Sequence, residues 1–99
     1  MSKIQIVVGI KAKADKEDEL RRDLVLIVKL SRKEPGNIRY DLYEDHDELG
    51  RFVFVEEWAS IEERTAHHEH AQHIKYFHEN GVLNVEKTEF GRILKGVVA

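Results

Sequence analysis

Apolar and polar residues alternate from Lys3 to Lys11, with Ile4, Ile6, Val8 and Ile10 on one face, and this predicts a strand. Val7 adds apolar surface to its other face. The period then changes. Leu20, Leu24, Ile27 and Val28, with Ser31 in the same line, recur at helical spacing, so one side of a helix faces a core. Asp15 suits the N-cap, and Glu17, Asp18 and Glu19 put negative charge at the positive end of the helix dipole. Pro35-Gly36 ends this helix, because the residue before a proline avoids helical angles. Residues 37–46 and 51–58 alternate again and read as a hairpin, joined through Asp47-Glu48-Leu49-Gly50. In its second strand Phe52, Phe54, Glu56 and Trp58 share one face, while Val53, Val55 and Glu57 share the other. Ser60 with Glu63 three residues on is a capping-box signature, opening a second helical region that runs to Asn80-Gly81. Residues 85–98 return as a final strand.

The order β-α-β-β-α-β is the split βαβ signature of a ferredoxin-like α+β fold: a four-stranded antiparallel sheet with both helices on one face. Helices on one side leave the other side of the sheet uncovered, yet Val7, Val53 and Val55 make it partly apolar. We therefore expect a homodimer formed through that uncovered face, a dimeric α+β barrel. The length of 99 residues holds one domain, residues 1–99, with a modest core that partner burial would help. A hydrophobic share of 41%, a charged share of 35% and a net charge of -3 describe an ordinary globular chain, favouring neither nucleic acid nor anionic membrane as partner. No run approaches a membrane span, and Met1-Ser2-Lys3 leads straight into the strand pattern without a signal peptide. Cysteine is absent, which excludes a disulfide framework, a thiol nucleophile and a thiolate metal site, and a cytoplasmic location is expected.

The second helical region is unusual. Its inward stripe, read back from Phe77, runs Phe77, Ile74, His70, His67, with His73 on the adjacent line. A core-facing helix ordinarily carries leucine or isoleucine at such positions. Imidazoles there cannot seal the aromatic strand face, so a pocket is expected between the histidines and Phe52, Phe54 and Trp58. His67-x-x-His70-x-x-His73 also suggests a metal. On a continuous helix the first and last of these diverge by about 120° around the axis, and the His-Glu-x-x-His spacing of zinc proteases is lacking, so no metal site is expected.

Three segments, Glu34-Pro35-Gly36-Asn37-Ile38-Arg39-Tyr40-Asp41, Gly50-Arg51-Phe52-Val53-Phe54-Val55-Glu56-Glu57-Trp58, and Ala66-His67 followed by Gln72-His73-Ile74, resemble the antibiotic biosynthesis monooxygenase family. The resemblance spans about residues 3–97. It implies a small dimeric enzyme with a cavity between sheet and helices, oxygenating quinols or polyketide phenols with O2 and needing neither metal nor flavin. A deprotonated phenol can give an electron to O2 itself, so the protein need only hold it, take its proton and exclude water. On that reading His67 and His73 are the base and its hydrogen-bonding partner, with their order left open. Trp58 matches the family's tryptophan at the end of the third strand and would stack on a planar substrate, with Phe52, Phe54, His70 and Phe77 lining the pocket. Glu56 would orient an imidazole or hold a proton, and Tyr40 would donate to a substrate oxygen. Plainer roles stand beside these: Trp58 as packing, and Glu56 as the ion-pair partner of Arg39 or Arg51. The family also includes haem-degrading members, whose strand-one asparagine has no counterpart in Ile4-Gln5-Ile6-Val7-Val8-Gly9. It further includes an isomerase of a phosphorylated quorum-signal sugar, for which Arg39, Arg51 or Lys75 would have to meet the phosphate. A non-catalytic dimer that binds a small aromatic molecule is the remaining alternative.

Overall fold

A computed structural model describes residues 3–98, so the reading of Met1 and Ser2 as a direct lead into the first strand lies outside the described residues. The elements follow in the order β1 (Ile4–Ala12), α1 (Glu17–Ser31), β2 (Asn37–Glu44), β3 (Arg51–Trp58), α2 (Ile61–His70), α3 (Gln72–Glu79), a 3-10 turn (Gly81–Asn84) and β4 (Val85–Leu94). The four strands form one antiparallel sheet in the order β2-β3-β1-β4, the ferredoxin-like arrangement the alternation predicts.

Strand parity decides what lies inside. Ile6 and Ile10 of β1, Tyr40 of β2 and Phe52, Phe54 and Trp58 of β3 face the helices and are buried. Leu20, Leu24, Ile27 and Val28 of α1, with Ile74 and Phe77 of α3, close over them. Apolar burial on this one face is the main stabilising term, worth roughly 1.5–3 kcal/mol for each large side chain relative to leaving it in water. On the outer face Val7, Val53 and Val55 are half-buried, while Tyr43, Phe90 and Leu94 are exposed. The Phe90 ring lies over Gly9, its cross-strand partner; a Cβ at Gly9 would stand only 2.3 Å from the ring, so glycine is required for that approach.

Local structure departs from expectation at four places. Asp15 is not the N-cap: it sits at φ 67° in a left-handed turn, and Lys16 occupies the cap position without a side-chain hydrogen bond. The helix gains instead from the acidic first turn of Glu17, Asp18 and Glu19. The α1 helix stops at Ser31, before Pro35-Gly36, where Arg32 N–H donates to Val28 O at 3.0 Å. The intervening turn leaves Glu34 beside the helix end, and Gly36 at φ 80° supplies the left-handed residue that turns the chain into β2. Ser60 caps α2 as expected, its Oγ accepting from Glu63 N–H at 3.3 Å. The second helical region is two helices, not one, because Ala71 is extended at φ -67°, ψ 128°. The final strand ends at Leu94, short of residue 98.

Candidate functional site

The break at Ala71 builds the site. His67 lies in the last turn of α2 and His73 in the first turn of α3. On an unbroken helix six residues would point them apart; the extended residue swings α3 round, and the two ring centroids come within 5.8 Å. Glu34, from the turn after α1, lies between them. Its Oε2 is hydrogen-bonded to His67 Nδ1 and lies 3.6 Å from His73 Nε2. On the far side of His67, Nε2 is 3.4 Å from the Tyr40 hydroxyl. The His73 Nε2 is also 3.1 Å from Ser31 Oγ. A line of polar groups thus runs Tyr40–His67–Glu34–His73–Ser31, buried at Tyr40, His67 and Ser31 and half-buried at Glu34 and His73. Among the described residues no buried side-chain nitrogen or oxygen lacks a partner.

Burial sets the protonation states. It pushes His67 down to about 4, assisted by the neighbouring positive charges of His68 and Arg64, so this imidazole is neutral at neutral pH. Burial raises Glu34, an effect the adjacent His73 opposes. Burial also lowers His73, with Glu34 pulling the other way. The fully ionised form of the His67–Glu34 pair is therefore disfavoured. Burial holds the Tyr40 hydroxyl protonated, well above the usual phenol range, and the Glu56 carboxylate adds to the effect.

The other expected residues fall into three groups. Trp58 is fully buried and its ring is 4.8 Å from that of His67, tilted at 38°; Tyr40 meets both rings edge-on. Glu56 is buried and accepts from Trp58 Nε1–H at 2.9 Å. It does not pair with Arg39 or Arg51, which are held by Asp41 and by Glu48 and Glu89 respectively. Phe52 and Phe54 are core residues. The expected hollow between these aromatics and the histidines is consequently filled by Tyr40, Trp58 and His67 packing against one another.

The open space lies elsewhere. A groove of about 630 Å³ separates α1 from α3, with Leu26, Leu30, Tyr76 and Phe77 among its apolar walls and His73 on its border. A smaller cavity of about 250 Å³ on the other side of the break is bordered by Glu34, His67 and His70. His70 itself is mostly exposed, 76% for its side chain, and does not join the other two imidazoles. Glu34 is the residue that sequence reasoning missed. Its one signal is position: an acidic residue directly before the Pro35-Gly36 helix stop, inside a recognisable segment. Nothing local tells that it meets histidines far along the chain.

The family model described as "Antibiotic biosynthesis monooxygenase" matches residues 4–80. The uncharacterized protein sll1783 of Synechocystis is 40% identical over 76 residues, covering 77% of this chain and 49% of that protein. YcnE of Bacillus subtilis, provisionally named a monooxygenase, is 37% identical over 62 residues, covering 63% of this chain and 65% of its own length. The chain therefore spans about half of the first relative and less than two thirds of the second. Among solved structures, Rv0793 of Mycobacterium tuberculosis superposes with a TM-score of 0.89 at 21% identity, covering 99% of this chain and 98% of that one. PA3566 of Pseudomonas aeruginosa gives 0.84 at 23% identity, covering 99% and 97%. These two likenesses establish the fold.

Proposed function

The chain belongs to the antibiotic biosynthesis monooxygenase family, and from that premise we propose that it oxidises a small aromatic quinol or phenol with O2 and no cofactor. The observation that carries the reading is the position of His73, which borders the apolar groove while its imidazole lies beside the half-buried Glu34, next to the buried His67 and Tyr40. The planar substrate lies in the groove between α1 and α3, against Leu26, Leu30 and Tyr76. His73 takes the phenolic proton, and Glu34 stabilises the imidazolium so formed. The resulting phenolate is electron-rich enough to reduce O2. In an anthrone-type phenol the ring CH2 becomes a carbonyl, and the second oxygen atom leaves as water. The substrate supplies every electron.

Charge in the groove favours this class over a phosphorylated sugar. Lys75 is there, but Asp23 and Glu79 border the same space, and Arg39 and Arg51 are tied to carboxylates. We read the outer sheet face, with Val7, Val53, Val55 and the exposed Tyr43, Phe90 and Leu94, as the contact of a homodimer.

The test is an oxygen-electrode screen of chelator-treated protein over hydroquinones and anthrone-type phenols, with His73→Ala alongside and the phosphorylated sugar followed by product analysis. Oxygen uptake that His73→Ala abolishes, while ligand binding persists, is the expected result. Binding without uptake by the wild type would instead make the protein a carrier of small aromatics.

A further inference from the structure

The same break at Ala71 has a second consequence. One ligand atom each from Glu34, His67 and His73 lies within 4.8 Å of the others, the only such group of three or more metal-ligating residues among those described. We propose that these three residues bind a divalent first-row transition metal of the zinc, cobalt and iron(II) class. On a continuous helix His67, His70 and His73 would diverge, and no ion could gather them. The helix is broken, His70 drops out, and Glu34 supplies the third donor from another part of the chain.

The donor set selects the metal. Two imidazoles and one carboxylate suit zinc, cobalt, iron and nickel, whereas magnesium and calcium prefer oxygen donors throughout. A metal about 2.1 Å from each atom needs donors roughly 3.0–3.4 Å apart. The His73 Nε2 is already 3.6 Å from Glu34 Oε2. The His67 Nδ1 and Glu34 Oε2 must separate slightly, as the metal takes the place of the proton between them. Neutral imidazole Nδ1 is then the ligand, and the ring proton sits on Nε2, which donates a hydrogen bond to the Tyr40 hydroxyl oxygen at 3.4 Å. That outward hydrogen bond is what a metal-bound histidine requires of its surroundings. The Ser31 hydroxyl, 3.1 Å from that same His73 Nε2, gives up this contact as the nitrogen turns to the metal. Three protein ligands leave coordination positions open, and two cavities border the cluster, so an outside ligand can reach the ion.

The inference goes beyond the proposed oxidation, which uses the metal-free residues. Oxygen uptake by chelated protein tests the reaction, and metal titration tests this site, so either can fail alone. The probe is Co2+ or Zn2+ added to chelator-treated full chain at neutral pH, read by calorimetry and by cobalt absorption. We expect one ion per chain, with a dissociation constant on the order of 10 µM or tighter. Glu34→Gln and His73→Ala should each weaken binding at least tenfold while circular dichroism stays unchanged. His68 and His78 form an exposed pair with ring centroids 6.0 Å apart, a competing surface site; their double substitution by alanine should leave the affinity intact. In the wild type, Zn2+ should shift the His67 ring nitrogen resonances, a readout that needs no variant to fold. Millimolar affinity, silent His67 resonances, or binding lost only with His68 and His78 would each overturn the proposal.

Discussion

Trp58 Nε1–H donates to Glu56 Oε1 at 2.9 Å, two residues back along the same strand, and both side chains are buried. The carboxylate therefore keeps a fully buried indole N–H satisfied. Removing it by Glu56→Ala should cost about 1–3 kcal/mol, the penalty for an unpaired buried donor, whereas Glu56→Gln keeps an acceptor and should cost much less. Burial, opposed by the Trp58 hydrogen bond, raises the Glu56 carboxyl, so the neutral amide also removes a desolvation penalty. Urea unfolding of the two variants checks this; equal losses would mean that the hydrogen bond contributes nothing.

His67 gives a pH dependence with a defined sign. Its native value, about 4, lies below the ordinary histidine value of 6.5. The unfolded chain therefore binds a proton that the native protein refuses, and stability falls as pH drops from about 6.5 towards 4. The full difference is roughly 3 kcal/mol, since each tenfold loss of proton affinity corresponds to about 1.4 kcal/mol. Glu34 and Glu56, whose carboxyls are raised, act in the opposite direction, so the effect is best isolated by comparing wild type with His67→Gln across that range. The gap between their unfolding free energies should narrow on acidification. A His67 ring titrating near 6.5 by NMR would contradict the burial on which this rests.

His73→Ala removes the proposed base and should lower kcat by about 10²–10⁴ with ligand binding retained, the usual contribution of a positioned proton acceptor. Phe77→Ala acts on the groove wall and the core together; it should cost about 3–5 kcal/mol of stability and weaken ligand binding. Steady-state kinetics alongside thermal unfolding separate the two effects.

The outer face predicts an assembly. Sedimentation should give twice the chain mass, and Val55→Lys, which places a charge amid Val7, Val53 and Tyr43, should yield monomers. An unchanged sedimentation coefficient in that variant would move the interface elsewhere.

Periodicity made most of the architecture legible. Leu20, Leu24, Ile27 and Val28 are the inner line of α1, and Phe52, Phe54 and Trp58 the inner line of β3, because a helix or strand with one buried face must repeat its apolar residues. The histidine cluster was half legible. The unexpected imidazoles marked the region, yet the alanine that parts α2 from α3 is a strong helix former, and no glycine or proline announces the break. Tertiary packing of Ile74 and Phe77 against the core outweighs that local preference. The missing partner, Glu34, could not be assigned because only the folded chain brings it near His67. The hollow was misplaced for a related reason: alternation tells which residues face inward, but not whether their rings fill the space.

The extended backbone at Ala71 frees the spacing of the two imidazoles from the repeat of about 3.6 residues of a single helix. Ile74 and Phe77 tie α3 to the core and the Ser31–His73 contact ties it to α1, so His73 is held where it meets Glu34. One bend at an alanine thus lets core packing, not helical pitch, decide how far apart the two rings stand.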